Sequence, residues 1–232
     1  MAKDRLILAL DVADAEAARH LVTRFAGRVG LFKVGSQLFT AAGPAFVSEV
    51  VASGEKVFLD LKYHDIPNTV AGAVGGAARL GVALLTVHAL GGREMLEAAA
   101  GALPAMGTRL LAITVLTSHD DRSLDALGLG GGVGDSVRRL SLLARDAGAD
   151  GVVASPHEVA LVREACGPDF LIVTPGIRPR GSAPGDQARA ATPAAALAAG
   201  ADYLVVGRPI LEAPDPEAAL AAILEEVSAG AV

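Results

Sequence analysis

The sequence predicts an α/β chain folded as a (β/α)8 TIM barrel, one domain over residues 1–232, on three observations. Eight short apolar runs recur along the chain, each followed by an Ala- and Leu-rich segment of helical character. The first three runs begin about 26 residues apart, at Arg5, Leu31 and Val57. At 232 residues and 52% hydrophobic content, the chain suits one closed parallel sheet wrapped in helices, and no linker divides it. The open doubly wound sheet is the alternative. Its glycine-rich turn after the first strand is missing, because Asp11-Val12-Ala13-Asp14 stands there.

Taken in order, Arg5–Val12 reads as a buried strand, followed by a helix from an N-cap at Asp14 to about Ala26. Leu31–Gly35 is the second strand, with a helix over Pro44–Ser53. Val57–Lys62 is the third, with a helix over about Val70–Leu80. Leu84–His88, Leu110–Leu116, Gly151–Ser155, Phe170–Thr174 and Tyr203–Gly207 complete the set of eight. The run Gly128–Gly134 lies in the long connection after the fifth strand and reads as a flexible loop rather than a phosphate cradle.

Composition removes several function classes. A net charge of −6 and a pI near 5.3 argue against a polyanion bound on a broad basic face, and 3% aromatic residues leave no stacking platform for single-stranded nucleic acid. The single cysteine, Cys166, makes no internal disulfide and has no histidine near it in sequence to activate it as a nucleophile. No Cys/His cluster has zinc spacing. The apolar run Leu6–Leu10 stops at Asp11, too short for a signal-peptide core, and no stretch approaches the roughly 18 apolar residues of a membrane span. A reducing cytoplasm is expected, with no membrane and no nucleic acid as partner.

Barrel chemistry sits at the C-terminal ends of the strands. Here those ends are charged: Asp11 on the first, Lys33 on the second, Asp60 and Lys62 on the third, His88 on the fourth, Thr117 after the fifth, Arg178 after the seventh, Gly207-Arg208 after the eighth. Strand alternation turns Asp60 and Lys62 to one face and Leu59 and Leu61 to the other, so a carboxylate and an ammonium share one mouth. A surface ion pair worth about 0–1 kcal/mol gives no reason for four ionisable residues within Asp60–Asp65.

With those residues in view, the chain resembles the orotidine 5′-phosphate decarboxylases of the shorter bacterial kind. The likeness rests on Leu8-Ala9-Leu10-Asp11, Phe32-Lys33-Val34-Gly35, the run Asp60-Leu61-Lys62-Tyr63-His64-Asp65-Ile66-Pro67-Asn68-Thr69, Leu116-Thr117-Ser118, Thr174–Pro179 with Gly185-Asp186-Gln187, and Val206–Ile210. It implies conversion of orotidine 5′-monophosphate to uridine 5′-monophosphate without metal or organic cofactor, by a homodimer with its active sites at the interface. Under that resemblance Lys62 supplies charge and proton, and Asp60 holds it. Lys33 and Asp65 extend the row, Asp65 coming from the partner subunit. Asp11, Lys33 and a partner-donated Thr69 meet the ribose, and Thr117 reads the pyrimidine edge. Arg208, the Gly207 amide, Gln187 and Arg178 take the phosphate, with Ile177–Arg189 closing as a loop. His88 is expected to be a neutral, hydrogen-bonded histidine, and His64 structural support.

Two rivals differ in kind. Magnesium-dependent barrels acting on sugar phosphates share the Asp-x-Lys-x-x-Asp spacing but carry an acidic residue where Lys33 stands. A non-catalytic phosphosugar-binding barrel could keep Gly207-Arg208, yet has no use for the Asp60, Lys62 and Asp65 set.

Overall fold

In the computed structural model, which describes residues 1–104, 107–179 and 191–230, eight parallel strands close into a barrel in chain order. The strands are β1 (Leu6–Ala9), β2 (Leu31–Gly35), β3 (Val57–Tyr63), β4 (Leu84–His88), β5 (Arg109–Ile113), β6 (Gly151–Val153), β7 (Leu171–Thr174) and β8 (Tyr203–Val206). Closure is made by β1 pairing with β8, Ile7 opposite Val205. The helices between them are α1 (Ala15–Phe25), α2 (Ser36–Ala52), α3 (Pro67–Arg79), α4 (Gly92–Gly101), α5 (Asp121–Ala126), α6 (Gly132–Asp146), α7 (Val159–Cys166) and α8 (Pro193–Ala198). The chain ends with α9 (Arg208–Leu211) and α10 (Pro216–Ala229).

Alternation along each strand separates two apolar cores. Ile7, Ala9, Leu31, Phe58, Leu84, Leu111, Val173 and Val205 fill the barrel interior. Their neighbours, among them Leu6, Leu8, Phe32, Leu59 and Leu85, point outward into the larger layer beneath the helices. This sorting positions the site: on β3, Phe58 is interior, so Asp60 and Lys62, two and four residues on, climb the same wall toward the mouth.

Several boundaries depart from the sequence reading, for identifiable reasons. α1 starts as expected, the Asp14 carboxylate accepting from the Ala17 amide at 2.9 Å. α2 begins eight residues before Pro44, because Gly43 adopts φ 68° and ψ −176°, a break that joins two helical segments and that a residue with a Cβ adopts poorly. β5 stops at Ile113 rather than Leu116, since its partner β6 is only three residues long and the ladder runs out. Thr114 continues the contact with its side chain, donating to the Val153 carbonyl at 3.0 Å. Gly128–Gly134 is not wholly loop: Gly132–Gly134 open α6, and the Asp121 carboxylate accepts from the Val133 amide at 2.8 Å.

Candidate active site

The interior apolar layer ends in a cavity that opens to solvent, about 920 Å³ with the open space at its mouth included. Its floor is Ala9, Phe58, Ile113, Val153 and Val205, each the last interior apolar side chain of its strand. Above them the walls turn polar. Asp11 follows Ala9 by two residues, Lys33 follows Leu31, Asp60 follows Phe58 and Gly207 follows Val205, all with the same period of two, while Thr117 comes four residues past Ile113, beyond the end of β5.

The charged wall is built from β1 to β3. Lys33 Nζ lies 3.0 Å from Asp11 Oδ1, and Lys62 Nζ lies 2.7 Å from Asp60 Oδ2. Asp60 is the more buried carboxylate, its side chain 13% exposed against 52% for Asp11. Lys62 shares a face with Asp60 as expected, but not through a plain strand. Its φ is +54°, the one positive value at a non-glycine among the described residues. The β3–β4 register also slips there, from Leu59 opposite Leu85 to Tyr63 opposite Val87. At the slip stands Thr86, wholly buried, whose Oγ1 accepts from the Lys62 amide at 2.9 Å and donates to Asp60 Oδ1 at 3.0 Å.

Across the mouth, Arg178, Gly207 and Arg208 line the cavity from the ends of β7 and β8. Gly207 admits Asp11 at close quarters: a Cβ there would meet Asp11 Oδ2 at 3.1 Å and the Ala9 side chain at 3.3 Å. The cavity is therefore polarised, with paired charges on one wall, arginines on the other and an apolar base. Thr117 and Ser155 lie between the two charged walls, Ser155 donating to the buried Glu158 carboxylate.

Two of the expected site residues are not in this cavity. Asp65 and Thr69 are exposed beyond the end of β3 and line no part of it; Asp65 Oδ1 accepts from the Ile66 amide at 2.6 Å. Gln187, and residues 180–189 of the expected closing loop, lie outside the described residues. His88 sits beside Lys62 with its ring stacked on His64, centroids 5.4 Å apart. Its Nδ1 accepts from the Leu90 amide at 3.3 Å. Burial, with help from His64, Lys62 and His119, pushes its pKa down to about 4, so it is a neutral imidazole at neutral pH. Burial raises the Cys166 thiol, which keeps it from being a ready nucleophile.

Thr86 and Ser155 were missed by sequence reasoning. Thr86 is a lone hydroxyl in the middle of the apolar β4 and Ser155 one just past the end of β6, a pattern that threonine's and serine's ordinary structural uses share. Among the described residues no group of three or more His, Cys, Asp or Glu side chains is placed to hold a metal ion.

Residues 4–223 match the family model described as "Orotidine 5'-phosphate decarboxylase / HUMPS family". The chain is 55% identical to the orotidine 5′-phosphate decarboxylase of Moorella thermoacetica, over 97% of this chain and 93% of that protein. It is 56% identical to that of Halorhodospira halophila, over 97% and 96%. Among solved structures, orotidine 5′-phosphate decarboxylase from Lactobacillus acidophilus superposes with a TM-score of 0.85 at 40% identity, covering 96% of this chain and 98% of that one. With its closed barrel, its paired charges at the β3 end and relatives of this identity over nearly its full length, the chain belongs to the orotidine 5′-phosphate decarboxylase / HUMPS family.

Proposed function

We propose that the chain decarboxylates orotidine 5′-monophosphate to uridine 5′-monophosphate in pyrimidine biosynthesis, and that Lys62 carries the chemistry. The observation behind this is the Lys62 ammonium held 2.7 Å from a buried carboxylate at the mouth of an apolar-floored cavity. Breaking the bond between C6 and the carboxylate releases carbon dioxide and leaves the electron pair on C6, in the plane of the ring, where the π-system cannot spread it. A fixed cation in a water-poor site lowers the energy of that carbanion. Lys62 then gives one proton from Nζ to C6 and recovers it from solvent.

The family resemblance assigns the remaining residues, and a place on the cavity wall supports it for each except Gln187, which lies outside the described residues. Asp60 holds Lys62 and confronts the departing carboxylate. Asp11 and Lys33, paired at 3.0 Å, take the ribose hydroxyls, and Thr117 the pyrimidine edge. Arg208, the Gly207 amide, Arg178 and Gln187 take the 5′-phosphate, for which a planar guanidinium fork is suited. The two ion pairs balance their own charge and need no metal to hold them together.

Asp65 and Thr69 are assigned to the cavity of a second copy of the chain. Both are exposed and line no part of their own site, close in sequence to Ile66, which is 66% exposed. Leu90, 42% exposed on the next loop, adds apolar surface that a partner would cover. A cytoplasmic location is part of this reading, and no described helix is long and apolar enough to cross a membrane.

Following the loss of orotidine 5′-monophosphate absorbance with purified protein tests the reaction directly. Turnover should survive dialysis against EDTA. Activity on a sugar phosphate, lost to EDTA and restored by magnesium, would replace this reading with the other chemistry of the family.

A further inference from the structure

We propose that Thr86 is the positioning residue that presets the Lys62–Asp60 pair, although it has no access to the substrate. No side chain of β4 lines the cavity. Nevertheless, the residue of β4 opposite the slipped stretch of β3 contacts both members of the pair.

The register shows why one side chain is needed there. Between Leu59 opposite Leu85 and Tyr63 opposite Val87, β3 spends three residues, Asp60, Leu61 and Lys62, where β4 has only Thr86. Such a bulge takes backbone groups out of the ladder, and a buried amide left unpaired costs about 1–3 kcal/mol. The Lys62 amide escapes that cost by donating to Thr86 Oγ1 at 2.9 Å. Having accepted that bond, the same hydroxyl spends its proton on Asp60 Oδ1 at 3.0 Å. Asp60 Oδ2 then accepts from Lys62 Nζ at 2.7 Å. The four groups close a ring that runs from the Lys62 backbone through Thr86 and Asp60 back to the Lys62 side chain.

Each link constrains a different variable. The first holds Lys62 at φ +54°, a conformation a side-chain-bearing residue leaves readily. The second fixes the plane of the Asp60 carboxylate, so that Oδ2 rather than Oδ1 faces the ammonium. A hydroxyl is the smallest group that can accept and donate at once. Valine has the same shape but can do neither. Serine can do both.

The proposal rests on the assignment of Lys62 as the reacting cation, and the test separates the two. Wild-type protein is assayed first; absence of orotidine 5′-monophosphate turnover would reject the assignment itself. In Thr86→Val, kcat should fall about 100-fold, the scale on which a misplaced catalytic group acts, while KM stays within about threefold. Thr86→Ser should recover most of kcat. A crystal structure of Thr86→Val needs no turnover: Lys62 should have left positive φ, or its Nζ should have parted from Asp60. Should valine prevent folding, Thr86→Cys keeps the size with a weak donor and acceptor and should lower kcat about tenfold at unchanged KM. The proposal is overturned by a folded valine or cysteine variant with wild-type kcat, by serine no better than valine, or by a valine structure with the pair undisturbed.

Discussion

Lys62 is held where its backbone is least at ease, at about 1–2 kcal/mol above an ordinary strand residue, so its position is imposed by its surroundings. Arg208 lines the same cavity from the end of β8, and under the proposed function its removal separates binding from chemistry. Arg208→Ala should lower kcat/KM for orotidine 5′-monophosphate by about 100-fold or more, because remote phosphate binding supports events at the reacting carbon. With orotidine, which has no phosphate, the loss should nearly vanish; equal losses on both substrates would remove Arg208 from the phosphate site. His88 supplies a different test. Its pKa of about 4 in the fold lies below the ordinary 6.5. Between these values the unfolded chain binds a proton that native His88 refuses, so its contribution is complete above pH 6.5 and is lost as pH falls toward 4. His88→Asn should flatten the fall in Tm across that window, removing a pH-dependent stability loss on the order of 2 kcal/mol after allowing for its partial exposure. Parallel Tm curves for the two proteins would show that His88 does not titrate as described. At this scale, alternation made the Asp60 and Lys62 faces legible. The left-handed φ was not legible, since lysine carries no mark of it and glycine is the residue expected there.

Elements were legible where period and capping agreed, as for α1 behind Asp14, and obscured where a tertiary contact set the boundary. The sequence reading starts this helix at Pro44, where the structure, with Gly43, has only a kink inside α2. The glycines before α6 looked like loop because the group that caps this helix, Asp121, lies on another helix, twelve residues from Val133. Another such contact joins α7 to the ends of β7 and β8. Arg163 donates to the carbonyls of Gly167, Pro168 and Phe170 at 2.8–2.9 Å and to that of Gly200 at 2.7 Å. It also meets the Asp202 carboxylate at 2.7 Å, which in turn accepts from the Ile172 amide. Methionine keeps the apolar stem and loses every donor. Arg163→Met should therefore cost about 3 kcal/mol, roughly 10 °C in Tm for a chain of this size, with KM nearly unchanged because the clamp lies at the end of the barrel away from the mouth. A Tm within 2 °C or so of wild type would reduce these bonds to surface contacts.

The barrel as a whole was readable because eight repeated units, a length suited to one closed sheet and the charged strand ends agree. Under the proposed function a single chain does not supply the full site: Asp65 stands three residues past Lys62, yet it is exposed and lines no part of its own cavity. Suppose Lys62→Ala and Asp65→Ala proteins are each nearly inactive, and are mixed, gently unfolded and allowed to reassociate. If Asp65 serves the neighbouring barrel, a mixed dimer has one doubly broken site and one intact site, where wild-type Lys62 of one chain meets wild-type Asp65 of the other. Random two-fold pairing makes about half the dimers mixed, and half the sites in each are intact, so roughly a quarter of wild-type activity should return. Each variant refolded alone controls for recovery and should stay inactive. If Asp65 folds back to its own cavity in solution, every site retains one lesion and mixing restores nothing. That result would reject the interface-spanning site and leave any pairing through the exposed Ile66 and Leu90 without a part in the chemistry.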